Sequence, residues 1–295
     1  MRGAHPEREV ERAVAASGVV RRGERVLIAC SGGPDSVALT GAMQAVAKRL
    51  RLSVCAAFVN HGTRRSAWQD ECVTLQIAAQ LAIPLEIAAP RPDAHDEQAL
   101  RTARYAALTD AATRLRCDAV ATAHHAEDQS ETVVLALLRG AGPAGLRGMH
   151  PRRRLVEGID LVRPLLGVPA EALRAYCHAR ALPYAVDPTN AEPSLRRNAV
   201  REALAALRPL FPGLDAAVAR AAAVVSDEHA GTHRAQLRRS VREELARDDH
   251  LREIDFLHVE AAVRALEDGR TGLFQMKPVI ALRIERGAIA GITRQ

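Results

Sequence analysis

Apolar positions in the first half of the chain alternate between two patterns. Short, nearly continuous apolar runs of strand length occur at Val26–Cys30, Ser53–Val59, Pro84–Ala88 and Asp118–Ala123. Between them, apolar residues recur at helical spacing over Asp35–Leu50, Ser66–Leu81, Asp96–Arg116 and Glu127–Arg139, and Pro6–Val20 supplies a short leading helix. Strand alternating with helix at this interval predicts the α/β class, with a doubly wound parallel sheet. In such sheets ligands bind beyond the carboxyl ends of the strands.

The second half is less regular. A glycine-rich break, Gly140 to Gly148, precedes a basic stretch, Pro151–Arg154, and one edge strand near Leu155–Val162. Pro169–Ala181 reads as a helix, Asp187–Arg201 as a loop and a helix start, and Gly213–Arg247 as helical throughout. One more helix runs from Phe256 to about Glu267. Val279–Glu285 and Ala288–Thr293 then pair as a hairpin about Arg286-Gly287. A domain boundary is expected near residue 210, with a small, mainly helical domain over 211–295.

Composition narrows the partners. At 295 residues, 48% apolar and 26% charged, the chain suits one large globular domain or two smaller ones. Aromatics are only 3%, which argues against an aromatic stacking surface for single-stranded nucleic acid. The formal charge of +6 suits a polyanion such as RNA, although nearly all of it is Arg, the only lysines being Lys48 and Lys277. Cys30, Cys55, Cys72, Cys117 and Cys177 form no C-x-x-C pair, and their odd number argues against a disulfide framework. A reducing, cytoplasmic setting fits. The charged start lacks the apolar core of a signal peptide, and no apolar run approaches the roughly 18 residues that span a membrane.

The candidate chemistry gathers after the predicted strands. Cys30-Ser31-Gly32-Gly33-Pro34-Asp35-Ser36 links the first strand to a helix, so its N–H groups and the helix dipole converge on an anion site. Gly32 and Gly33 allow close backbone approach, and Ser31 and Ser36 add hydroxyls. Asp35 would repel a bare phosphate; it fits a bridging Mg²⁺ or a helix cap. The spacing is neither a Walker A loop nor G-x-G-x-x-G.

Asn60-His61-Gly62-Thr63-Arg64-Arg65 follows the second strand, as a nucleotide-facing cluster or an exposed basic loop. The fourth strand leads into Thr122-Ala123-His124-His125-Ala126-Glu127-Asp128, where Asp128 and Glu131 share a helix face. With His124 or His125 this cluster suits Mg²⁺, an ammonium group or proton transfer; the alternatives are a Zn site, against which stand the missing H-E-x-x-H and Cys partner, and a cap with ordinary compensation of the helix dipole. Glu97, Arg101, Arg104 and Tyr105 lie at helical spacing. Arg197 and Arg201, i and i+4 beside Asn198, suit a phosphate grip or a solvated basic face.

The Ser-Gly-Gly-x-Asp-Ser loop resembles the PP-loop of ATP pyrophosphatases, which have the adenine nucleotide alpha hydrolase-like fold. Seven blocks in order resemble one family, tRNA(Ile)-lysidine synthase. They are Ser31–Ser36; Asn60-His61-Gly62; Glu97-x-x-x-Arg101-x-x-Arg104-Tyr105; Thr122 through Thr132; Arg139-Gly140-x-Gly142 with Gly145-Leu146; Arg163-Pro164-Leu165-Leu166; and Asp187-x-x-Asn190 leading to Arg197-Asn198-x-x-Arg201.

The resemblance implies a catalytic domain over 1–210 and a tRNA-holding role for 211–295. It implies ATP and Mg²⁺ as cofactors, L-lysine and a tRNA(Ile) with a CAU anticodon as substrates, no membrane, and room for a homodimer. The wobble cytidine would be adenylated at C2 and the lysine ε-amine would then displace AMP. Nucleotide contacts fall to Ser31, Gly32, Gly33, Pro34, Asp35, Ser36, Asn60 and His61, with Asp35 toward Mg²⁺. Asp128, supported by Glu131 and His124, falls on the lysine side. Arg197 and Arg201 face phosphate or base, and Arg101, Arg104, Arg197, Asn198 and Arg201 face the tRNA. Asn60, Thr63 and Glu127 depart from the residues usual in that family, and only about 80 residues follow the matched region. The alternatives are a tRNA thiolase of the same fold, a small-molecule amide synthetase, and a nucleotide- or RNA-binding protein without catalysis.

Overall fold

The computed structural model describes residues 6–60, 67–90, 97–185, 195–246, 254, 256–277 and 280–294. Two compact units are present: Met1–Ala141 with Gly148–Arg220, and Gly142–Arg147 with Ala221–Gln295. The division lies between Arg220 and Ala221, whereas the sequence pattern suggested 210. A short internal segment also joins the second unit.

The first unit runs α1 (Pro6–Ala16), β1 (Arg25–Ala29), α2 (Pro34–Leu50), β2 (Ser53–Val59), α3 (Ala67–Gln80), β3 (Leu85–Ala88), α4 (Glu97–Arg114), β4 (Ala119–Ala121) and α5 (Ala126–Leu138). After α6 (Pro143–Leu146), which belongs to the second unit, come β5 (Arg152–Val156), β6 (Ile159–Val162), α7 (Ala170–Ala179) and α8 (Leu195–Leu207). α9 (Leu214–Ala230) contains the division.

The six strands are ordered β3-β2-β1-β4-β6-β5, and all neighbours are parallel except the β5–β6 pair. The expected doubly wound sheet is therefore present. Its order reverses at β1, which lies between β2 and β4. The crevice beyond the carboxyl ends of β1 and β4 is the topological switch point where such sheets bind ligands.

β1 is buried on both faces, which explains its unbroken apolar run. Ile28 faces the cluster of Val37, Leu39, Met43, Leu173 and Tyr176, and Leu27 faces that of Leu108, Ala111, Val120 and Leu161. Cys55 and Cys117 meet in the latter cluster, their Sγ atoms 3.4 Å apart as free thiols.

Two expectations change. The single edge strand near Leu155–Val162 is a hairpin. Gly158, at φ +78°, turns the chain between β5 and β6, and the flanking apolar residues had masked that turn. β6 is thus interior, and the basic stretch forms the antiparallel edge. Gly213–Arg247 is not one helix either. Gly231, at φ +60°, ends α9 before α10 (His233–Ala246).

The second unit continues through α11 (Phe256–Glu267) and β7 (Gly272–Lys277), β8 (Ile280–Glu285) and β9 (Ala288–Arg294), a three-stranded antiparallel sheet in that order. The expected hairpin is β8–β9, and β7 adds a third strand. Val241, Leu245, Val263, Met276, Leu282 and Ile284 form its core. Among the described residues no helix is long and apolar enough to cross a membrane.

Candidate active site

The loop after β1 is closed by its own side chains. Ser36 Oγ accepts a hydrogen bond from the Ser31 N–H (3.0 Å) and donates to the Gly33 carbonyl (3.0 Å). Its hydroxyl therefore shapes the loop rather than reaching outward, while the Ser31 side chain is exposed. Gly33 caps α2 and Pro34 occupies its first turn. Helix geometry leaves the first-turn N–H groups without intrahelical acceptors.

Gly32 has φ +80°, and a Cβ there would lie 2.7 Å from the Asp70 carbonyl oxygen. The Ala185 N–H donates to the Gly32 carbonyl at 2.9 Å. The loop is thus pressed by the first turn of α3 on one side and held by the chain after α7 on the other.

Beside it stands the cluster after β4, brought there because β1 and β4 are neighbours. His125, the N-cap of α5, places Nε2 3.6 Å from Asp35 Oδ2 and 3.5 Å from Asp128 Oδ2, and Nδ1 2.9 Å from Glu127 Oε2. Burial opposes its charge, but the Glu127 hydrogen bond and the Asp128 and Asp35 carboxylates outweigh that and raise its pKa to about 9. His125 is therefore an imidazolium at neutral pH.

Glu127 also accepts from the Ala170 N–H at 3.0 and 3.1 Å, tying the start of α7 to the start of α5. Asp128 Oδ2 accepts from the His125 N–H at 3.1 Å. Burial, with the nearby carboxylates of Asp128 and Glu127, raises the pKa of Asp35 against the pull of His125 and Arg174. Asp35 Oδ1 is buried with no hydrogen-bond partner, so this pocket holds an unmet demand for a donor or a cation.

His124 points elsewhere. Its Nδ1 lies 2.9 Å from Thr122 Oγ1. Burial, with Arg163, Arg101 and Arg197 around it, lowers its pKa to about 3, so it is neutral. The Arg101 guanidinium lies 5.1 Å from the centre of the Tyr105 ring, a cation–π contact. The residue pattern admitted either His124 or His125 and the family resemblance favoured His124; in the structure His124 is neutral and His125 is charged.

Glu131 is nearly inaccessible, its side chain 3% exposed beneath two arginines. Arg197 Nε donates to Oε2 at 2.9 Å, and Arg201 donates through Nε at 2.7 Å and Nη2 at 3.2 Å. These bonds outweigh burial and hold the Glu131 carboxyl below its usual range. Arg197 Nη2 also lies 3.6 Å from Asp128 Oδ1. Glu131 thus orients Arg197 and Arg201 from below, and Asp128 is the carboxylate nearer the pocket.

Asn60, at the carboxyl end of β2, donates from Nδ2 to Glu71 Oε2 at 3.3 Å. Arg104 lies on α4 and Asn198 on α8 beside Arg197. His61 lies outside the described residues, as do Asp187, Asn190, Arg64 and Arg65.

Two residues were not singled out as site residues from sequence. Gln129 is buried and uses its amide on Met149. Arg163 is 4% exposed, donates from Nη1 to the His150 carbonyl at 2.6 Å, and leaves Nε buried without a partner. For Arg163 the signals were a polar residue at an otherwise apolar strand end and its place in the Arg163-Pro164-Leu165-Leu166 block. For Gln129 the signal was its place beside Asp128 within the Thr122–Thr132 block.

Among the described residues no group of three or more His, Cys, Asp or Glu could hold a metal ion. A single Asp35 carboxylate still fits Mg²⁺, which is commonly held by one or two carboxylates together with substrate phosphates and water.

Comparison with known proteins agrees with this geometry. The PP-loop domain family matches residues 4–207. The chain is 46% identical over 213 residues to the tRNA(Ile)-lysidine synthase of Salinispora arenicola, covering 70% of this chain and 63% of that protein. It is 37% identical over 206 residues to that of Symbiobacterium thermophilum, covering 67% and 42%. The chain therefore spans less than two thirds of the length of these relatives. A solved U34-tRNA thiolase, NcsA from Methanococcus maripaludis with its [4Fe-4S] cluster, superposes with a TM-score of 0.63 at 17% identity, covering 73% of this chain and 77% of that one; the likeness is one of fold. With residues 4–207, two thirds of its length, matched, the chain belongs to the PP-loop domain family, and the curated relatives it resembles are named tRNA(Ile)-lysidine synthase.

Proposed function

We propose that this chain ligates free lysine to C2 of the wobble cytidine of a tRNA(Ile) with a CAU anticodon, splitting ATP to AMP and pyrophosphate. The observation that carries the reading is the orphaned, buried Oδ1 of Asp35. It lies in a pocket of Asp35, Asp128 and His125 directly beside the N–H groups of the phosphate loop. The names of the relatives supply the substrates.

In the first step the cytidine O2 attacks the α-phosphorus and pyrophosphate leaves. The first-turn N–H groups of α2 receive the phosphates, and Gly32, at φ +80°, sets the loop that presents them. Mg²⁺ would be held by Asp35 and would neutralise charge on the leaving pyrophosphate.

In the second step the lysine amine forms a bond to C2. The C2–O bond breaks, and AMP departs with that oxygen. Asp128 binds the ammonium and takes the proton that the amine must lose. An imidazole held near pKa 3 is a weak base, so His124 contributes a neutral hydrogen-bonding edge rather than proton transfer. Arg197 and Arg201, aimed by Glu131, meet phosphate or the base. Arg101 and Arg104 contact the RNA.

The test combines pyrophosphate release with incorporation of labelled lysine, with and without tRNA. Asp128→Ala is expected to lower lysine incorporation at least 100-fold while ATP still binds, in line with the ~10²–10⁴-fold typical of a lost acid–base group. Wild-type turnover by this variant refutes the assignment. Pyrophosphate release without RNA refutes the RNA substrate.

A further inference from the structure

We infer that Gln129 is a positioning residue for the acceptor side of the site, fixing Gly148–Met149–His150 against the start of α5 as a segment on which RNA binding, but not ATP binding, depends. The inference rests on the proposed RNA substrate.

Gln129 is 5% exposed and follows Asp128 in the first turns of α5. Both ends of its amide are committed to one residue. Oε1 accepts from the Met149 N–H at 2.8 Å, and Nε2 donates to the Met149 carbonyl at 3.2 Å. The side chain thus satisfies Met149 as a neighbouring strand would.

Gly148 completes the fit. Its φ is +63°, and a Cβ there would lie 2.7 Å from Gln129 Nε2 and 2.8 Å from Cδ and Oε1. Arg163, the residue after β6, holds the next two residues. Arg163 donates from Nη1 to the His150 carbonyl (2.6 Å) and from its N–H to the Pro151 carbonyl (2.8 Å). The chain that leaves α5 at Arg139 is thereby returned to the beginning of the same helix, against the residue that follows Asp128. The nucleotide loop is pinned by different residues, Ser36, Asp70 and Ala185. Loosening one anchor set should therefore leave the other in place.

The experiment measures Kd for ATP and Kd for a CAU-anticodon tRNA transcript, both without lysine, and amide hydrogen exchange at Met149. Gln129→Ala is expected to weaken tRNA binding about tenfold, leave ATP Kd within twofold, and speed exchange at Met149. Gly148→Ala should act in the same direction. Because the clashing amide is absent from Gln129→Ala, the double variant should lose less than the product of the two single losses. If Gln129→Ala does not fold, Gln129→Met nearly keeps the volume while removing both hydrogen bonds and should show a loss of the same kind. Unchanged tRNA binding, an equal loss of ATP binding, or multiplicative single losses would each overturn the inference. A tenfold tRNA defect in a chain that incorporates no lysine upholds it and refutes only the lysine reading.

Discussion

Gly32 and Gly33 are adjacent yet carry different demands. Gly32 combines φ +80° with a virtual Cβ 2.7 Å from the Asp70 carbonyl, whereas a Cβ at Gly33 meets only Ser31 Oγ at 3.7 Å. Left-handed backbone alone costs an L-residue about 1–2 kcal/mol. Gly32→Ala must in addition push the loop off α3 or move α3, so a loss of ATP affinity of at least tenfold is expected by calorimetry. Gly33→Ala should stay within threefold, and equal effects would contradict this account. The Ser-Gly-Gly-x-Asp-Ser spacing was enough to place the loop, because an anion site at a helix start is a local property. The split between His124 and His125 was not legible, since it arises from the burial of His124 beside Arg163, Arg101 and Arg197 and from the Glu127, Asp128 and Asp35 carboxylates around His125. Nor was the burial of Glu131, which needs α8 packed over α5.

At the scale of elements, the strands that follow the rule of buried apolar runs were readable, and so was the β8–β9 hairpin, whose Arg286-Gly287 turn interrupts the apolar pattern, whereas two other breaks were not. β5–β6 and α9–α10 each hinge on a single glycine at positive φ, Gly158 and Gly231. A run of apolar or helix-forming residues on both sides conceals such a break. α10 and α11 are joined by an ionic network: Arg238, 4% exposed, donates to Glu260 and to Asp227, and Arg234 also donates to Glu260. Although burial opposes ionisation, the two arginines hold the Glu260 carboxyl below its usual range. Its folded pKa being depressed, the stabilisation is complete above the ordinary Glu value and is lost as pH falls below it. Arg238→Ala would leave Glu260 partly uncompensated and destabilise this unit by about 3 kcal/mol, whereas Arg238→Met, which keeps the packing, should cost less. Hydrogen exchange over α10 and α11, measured at pH 7 and pH 4, distinguishes these outcomes; the Arg238→Ala defect should shrink at the lower pH.

For the whole molecule, charge is unevenly divided. The first unit carries 28 Lys and Arg against 23 Asp and Glu, and the second 13 against 12. Arg234, Arg238, Arg239, Arg270 and Arg283 of the second unit all lie in ion pairs. Phosphate contacts made by arginine appear as a linear fall of log K with log salt, with a slope of roughly 0.9 per duplex phosphate neutralised and 0.7 for single strands. Arg101→Gln is therefore expected to reduce the salt slope of tRNA binding by about 1, and Arg283→Gln to leave it unchanged. A salt titration by filter binding checks both, and the reverse ranking would transfer the RNA grip to the second unit. The detour of Gly142–Arg147 into that unit has a consequence for how the protein is made. Synthesis runs from the N-terminus, so this segment emerges before residue 221 and the chain beyond it exist. It must wait, tethered at both ends, while the sheet around β4 and β6 closes behind it. Nor can one cut after Arg220 release the second unit whole, because six of its residues stay with the other fragment.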